Sequence, residues 1–124
     1  MNFEPTLRKM VDGVSGALGI ALMGSDGIPI SEVQAEATEA SGEEAEAGAA
    51  GVEFGRVLDE IRKAADGLGA GRLEEVVVGL ARCWLLFRAV DEELFLVFAL
   101  APRGNLGKAR FLMRRHLLEL RDQL

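Results

Sequence analysis

The sequence predicts an α+β domain with the order α-β-β-α-β-β-β-α, a five-stranded antiparallel sheet and helices on both faces. Three observations predict it. The run Leu94–Ala101 is apolar on both faces, and such a strand belongs in the middle of a sheet covered on both sides. Large apolar residues recur with period two after Gly16 and at helical spacing after Gly51 and Asn105, which separates strands from helices. The strands follow one another over short polar turns, which joins them antiparallel. The 124 residues suit one domain spanning 1–124, long enough to bury roughly two-thirds of its unfolded surface. An apolar content of 49% excludes a disordered chain.

The first element is an amphipathic helix over 4–14. Pro5 fits its first turn, Leu7, Met10, Val11 and Val14 share one face, and Gly16 breaks it. Residues 17–23 alternate in size, with Leu18, Ile20 and Leu22 on one face and Ala17, Gly19 and Ala21 on the other. The small face predicts a closely approaching helix. Gly24-Ser-Asp-Gly27 is a hairpin turn. The return strand over 28–33 contains Pro29, which cannot donate to a ladder and predicts a sheet edge.

Residues 34–51 are rich in Glu, Ala and Gly and hold no large apolar side chain. They read as an acidic loop or as a helix extension, because Ala and Glu favour helix and Ser41-Gly-Glu-Glu44 matches a capping box. The clear helix starts near Gly51, with Phe54, Val57, Leu58, Ile61, Ala65 and Leu68 at helical spacing, and Gly67, Gly69 and Gly71 end it. Three strands follow, over 73–80, 82–88 and 94–101, with Asp91-Glu-Glu93 as a polar turn and Arg82 and Arg88 at the ends of the second. The closing helix over 105–124 turns Leu106, Ala109, Met113, Leu117, Leu120 and Leu124 inward.

The formal net charge is −6 and the pI about 4.8, which argues against nucleic acid as the main partner. The charge is uneven. Residues 32–60 carry nine acids and one base, and residues 61–124 carry eleven bases and eight acids. This split reads as a solvated charge run, or as a polar partner surface or self-association. Cys83 is the only cysteine, so no internal disulfide forms and a reducing compartment is expected. No signal peptide and no apolar run of ~18 residues is visible. The expectation is a cytoplasmic protein without membrane insertion.

No catalytic centre emerges. Gly104-Asn-Leu-Gly107-Lys108 is a poor phosphate loop, because Pro102 and Ala109 occupy positions that need Gly and Ser or Thr. Gly104 shapes the turn instead, Asn105 caps the helix and Gly107 permits close packing. His116 has no second histidine and no ligand spacing around it. Cys83 beside Trp84 reads as core, as do the aromatics Trp84, Phe95, Phe98 and Phe111. Ser15, Ser25, Ser31 and Ser41 lack a matching base and acid. No catalytic residue, cofactor or metal is expected.

The first and last helices belong together on one face, leaving one middle helix for the other. Five strands ~4.8 Å apart span roughly 20 Å, and a helix is only ~10 Å wide. Half of that face therefore stays open. The strand of Glu74-Glu-Val-Val-Val78 is also an unprotected edge. A symmetric dimer resolves both, and its expected interface is Phe54, Val57, Leu58, Ile61, Val76, Val77 and Val78. The polar face of the middle helix, with Glu53, Arg56, Asp59, Glu60, Arg62 and Lys63, is either the partner-binding surface or a merely solvated one.

The segments Gly19-Ile-Ala-Leu-Met-Gly-Ser-Asp-Gly-Ile-Pro-Ile30 and Phe95-Leu-Val-Phe-Ala-Leu-Ala-Pro-Arg-Gly-Asn-Leu-Gly-Lys-Ala-Arg110 carry a resemblance. They are similar to the strand, Asp-Gly turn and strand, and to the last strand, small-residue turn and Leu-Gly-x-x-Arg helix start, of the Roadblock (dynein light chain) family. The likeness is strongest to the bacterial branch that works with Ras-like small GTPases in gliding motility and polarity. The resemblance implies a profilin-like fold, a homodimer with a sheet continuous across the interface, and no nucleotide binding of its own. It implies two possible roles. One is a non-enzymatic adaptor for a Ras-like GTPase or a second Roadblock protein. The other is a direct regulator of GTP hydrolysis or exchange that positions the GTPase's own residues. The sequence ends at Leu124 without the tail of some GTPase-regulating relatives. Its Asn-Leu-Gly-Lys turn and Val52-Glu-Phe-Gly helix start look more like an adaptor subgroup. The expected role is therefore the adaptor.

Overall fold

The computed structural model describes residues 2–36 and 46–124. The capping box at Ser41–Glu44 lies outside them. The elements are α1 (Glu4–Asp12), β1 (Ala17–Gly24), β2 (Pro29–Gln34), α2 (Ala47–Leu68), β3 (Glu75–Gly79), β4 (Trp84–Ala89), β5 (Leu94–Leu100), α3 (Leu106–Arg115) and α4 (Leu117–Asp122). The five strands form one antiparallel sheet in the order β2-β1-β5-β4-β3. The fully apolar β5 sits at its centre, and β2, which begins at Pro29, sits at an edge, as the residue chemistry requires.

α1, α3 and α4 cover one face, and α2 covers part of the other. The closed face is built from large side chains: Leu7, Met10, Ile20, Leu22, Leu96, Phe98, Leu100, Met113 and Leu120 are all 2% exposed or less. Each such burial contributes about 1.5–3 kcal/mol. The predicted single closing helix breaks at His116 into α3 and α4. Its hydrogen bonds still run through the break, from His116 N to Leu112 O (3.1 Å) and from Leu120 N to His116 O (3.0 Å). Asn105 accepts from Lys108 N at 3.0 Å and caps α3. The first and last helices are stitched together as well. Thr6 donates to Glu119 Oε2 at 2.6 Å, and Gln123 Nε2 donates to Thr6 Oγ1 at 3.0 Å.

Gly16 holds the two loops at the base of the sheet together. Its φ is +83°, and a Cβ on it would lie 2.5 Å from Gly104 Cα. That approach lets Ala101 N reach Gly16 O at 2.8 Å and Asn105 N reach Ser15 O at 2.9 Å.

Several expectations need correction. A register shift between Ala17 and Gly19 interrupts the alternation of β1. Leu18 therefore packs with the α2-side cluster, while Ile20 and Leu22 stay on the α1 side. Leu124 is 47% exposed rather than inward, because α4 ends two residues earlier. Phe111 is not core: it is 47% exposed, since Ala109 and Met113 already take the inward stripe of α3. Gly107 admits no close neighbour beyond its own cap residue. Gly67 lies within α2, and the helix stops at Gly69, which adopts the left-handed conformation.

Candidate interaction surface

α2 packs on β1, β5 and β2 through small residues at its start. Ala47, Gly48, Ala50 and Gly51 are buried there, and Leu58 is the only large side chain of α2 buried to that degree. A Cβ on Gly51 would lie 2.7 Å from Met23, so glycine permits the close approach that the small face of β1 predicted. Gly48 N also donates to Glu32 Oε2 at 3.0 Å. Because these contacts use small side chains, they leave no periodic signal from large ones, and the helix begins four residues before Gly51.

Farther along, α2 stands away from the sheet. Phe54 still meets Phe87 with ring centroids 5.5 Å apart, and Phe87 meets Phe95 at 6.4 Å. Val57 and Leu68, however, are 49% and 79% exposed. Val57, Ile61 and Leu68 fall on one flank of the helix, since 57, 61 and 68 are separated by one and then two turns. On the sheet, Val76 and Val78 lie on the α2 side and are only partly buried. The result is a half-covered apolar face bordered by β3, an edge strand without proline or bulge.

The residues expected at a dimer interface divide accordingly. Phe54, Val57, Ile61, Val76 and Val78 border the open half-face. Leu58 is 4% exposed and already buried within the chain. Val77 pairs with Leu86 on the opposite side of the sheet, facing the α3 layer. It belongs to the edge by its backbone only.

The polar residues of α2 form a ladder on its outer side. Asp59 meets Arg62 at 3.6 Å and Lys63 at 3.4 Å, and Glu60 meets Lys63 at 3.6 Å. The hydrogen bond that Lys63 donates to Asp59, and then the Asp59 charge, raise the Lys63 pKa. Exposed helix pairs of this kind add little to stability, because solvent screens them. Glu53 and Arg56 are exposed. Arg62 turns towards the sheet margin and lines a cavity of about 290 Å³ with Arg72, Arg88 and Arg121.

One network escaped the sequence reading. Glu75 on β3 pairs with Arg88 at 3.3 Å and with Arg110 of α3. The signal was present: the turn between Gly79 and Trp84 fixes a register that sets Glu75 opposite Arg88. Cys83 is buried, and burial pushes its thiol pKa up, the inert setting expected of a core cysteine. His116 meets Glu119 at 3.2 Å on the closed face. Among the described residues no group of three His, Cys, Asp or Glu side chains is placed to hold a metal ion, and no helix is long and apolar enough to cross a membrane.

No protein-family profile matches the sequence, and no curated protein does. Solved structures do match. MglC from Myxococcus xanthus is 35% identical with 100% of both chains covered and a TM-score of 0.69. A Roadblock/LC7 domain from Streptomyces avermitilis is 15% identical, with 99% of this chain and 98% of that chain covered and a TM-score of 0.82. The gliding protein MglB from Thermus thermophilus is 18% identical, with 92% and 82% covered and a TM-score of 0.77. The last two speak for the fold alone. The first covers the whole chain at an identity that fold likeness does not require. With its interrupted small-faced hairpin, its central apolar strand and that full-length likeness, the chain belongs to the Roadblock (LC7) family.

Proposed function

We propose that this protein is a non-enzymatic, homodimeric interaction module that binds a Ras-like small GTPase or a second Roadblock protein in bacterial motility or polarity control. The observation that carries the reading is the half-covered sheet face beside an unprotected edge strand. A second copy that pairs β3 with β3 and lays its α2 alongside covers Val57, Ile61, Val76 and Val78 and removes the exposed edge. The two α2 helices then form one ridge that presents Glu53, Arg56, Asp59, Glu60 and Lys63, with Arg62 at its side. That ridge is the proposed partner surface. The full-length likeness to MglC supports the motility context.

Sedimentation at tens of micromolar tests the dimer; a monomer throughout rejects it. Capture with the intact protein and with a variant in which Arg56, Asp59 and Glu60 are Ala tests the ridge. Identical partners for both remove α2 from the site. Direct regulation is the second reading, because Arg56 is exposed and Arg62 lines an open cavity. Multiple-turnover GTP hydrolysis by a candidate GTPase separates the two readings. Binding without a rate change fits the adaptor, and strong acceleration assigns regulation.

A further inference from the structure

The closing helix has two apolar stripes, and only one of them is buried. Ala109, Met113 and Leu120 point into the core. On the far side Phe111 and Leu118 are 47% and 69% exposed. They lie seven residues apart, which places them in line on one helix face. The line is physically continuous, because the hydrogen bonds carry the helix through His116. Cations flank it on both sides: Arg110, Arg114 and Arg121 along one border and Lys108 and Arg115 along the other, all exposed, although Arg110 also pairs with Glu75 and Arg121 donates to Val90 O at 2.6 Å. Arg115 lies over the Phe111 ring, 6.0 Å from its centroid. Asp122 is the one acid on that outer surface among the described residues of the two helices; Glu119 turns inward to Thr6, His116 and Lys9.

We propose that this outer face of α3 and α4 docks on a membrane surface that carries anionic phospholipid. A convex ridge with protruding Phe and Leu tips offers no groove for a peptide to fill. It does match a lipid interface, where apolar tips enter the acyl boundary while Lys and Arg reach headgroup phosphates. The overall charge of −6 does not oppose this. Acids at 46, 53, 59, 60 and 66 belong to α2 or its cap, on the other side of the sheet, and on the near side α1 sets Arg8 and Lys9 against Glu4 and Asp12. The α2 layer lies beyond the ~8 Å over which charge acts at physiological salt. The proposal rests on a single chain. If the β3-paired dimer forms, its twofold axis stands perpendicular to the sheet. Both basic ridges then point the same way, doubling the attachment and leaving the α2 ridge free on the opposite side.

Co-sedimentation of the full chain with phosphatidylcholine vesicles, with and without phosphatidylglycerol, tests this. The expected result is binding only when phosphatidylglycerol is present, weakening as salt rises. Replacing Arg114 and Arg115 by Gln lowers the partition coefficient by about tenfold or more, and Phe111→Ser with Leu118→Ser lowers it similarly. Both variants should melt with the parent protein, because the altered side chains face solvent. Absence of binding to phosphatidylglycerol vesicles overturns the proposal, as does equal binding by the Arg114 and Arg115 variant. A change of sedimentation state in the Phe111 and Leu118 variant also overturns it, assigning the ridge to a contact between copies. The α2-side dimer is read on the same samples without vesicles, so failure of either idea is visible separately.

Discussion

The two faces of the sheet are finished to different degrees. On one, α1, α3 and α4 enclose Ile20, Leu22, Leu96, Phe98 and Leu100 to zero exposure, and side-chain hydrogen bonds tie α1 to α4. On the other, α2 makes a tight start through Ala47, Gly48, Ala50 and Gly51 and then leaves Val57 and Leu68 in solvent. The contrast separates stability from assembly. A face filled with interdigitating large side chains needs nothing further to hold the fold. A face that packs small residues on one strand pair and exposes apolar ones beside an open edge is the face that the proposed second copy covers.

The largest test of that division is Phe98→Ala on the closed face. It should cost about 3–5 kcal/mol in a denaturant melt, with the sheet lost as a unit. A cost under about 1 kcal/mol would mean that the enclosed face does not carry the fold. Next comes Gly51→Val, which places branched carbons where Met23 already lies. It should cost about 1–3 kcal/mol by overpacking and lift the start of α2. Circular dichroism should show the loss, with the closed-face helices intact. Glu119→Gln probes the stitching between α1 and α4. The Glu119 carboxyl is held below its ordinary value of 4.5 by the Thr6 hydroxyl, then by His116 and Lys9, against a burial contribution of opposite sign. A depressed folded-state pKa means that its contribution is complete above 4.5 and fades as pH falls below it. The side chain is 37% exposed, so solvent screening keeps the effect under about 1 kcal/mol. The variant should flatten the acid limb of the melting curve, and a parallel limb would show the pairing to be idle. The smallest stability effect belongs to Val57→Glu, within about 0.5 kcal/mol. Its predicted effect lies in sedimentation, which should shift to the lighter species. An unchanged sedimentation coefficient would detach the open half-face from self-association.

Most of the fold was legible because it follows from periodicity. The two-faced apolar run of β5, the Pro29 edge and the helical spacing around Leu58 each have one structural solution, and the structure adopts them. The misreadings share a physical cause: contacts made by backbone geometry or by small side chains. The bulge at Ala17 and Gly19 moved Leu18 across the sheet with no change in residue type. The start of α2 packs through Ala and Gly, which leave no hydrophobic rhythm. Phe111 carried the composition of a core residue, but its phase on α3 opposes Ala109 and Met113. The polar ladder on α2 was visible as residues; its pairings with Asp59 and Glu60 needed the helix to be built. Glu75 and Arg88 were visible singly, and only the hairpin register joined them.

The stitching of α1 to α4 also constrains when the domain can form. The bonds Thr6–Glu119 and Gln123–Thr6 close loops of 113 and 117 residues. β1 likewise finds its central partner β5 only after β2, α2, β3 and β4 have been made. Such distant pairings slow folding, because loop closure precedes the contacts that reward it. On the ribosome, the inner edge of β1 stays unpaired until β5 emerges. The first half of the chain is therefore the period in which this protein most needs shielding from its neighbours.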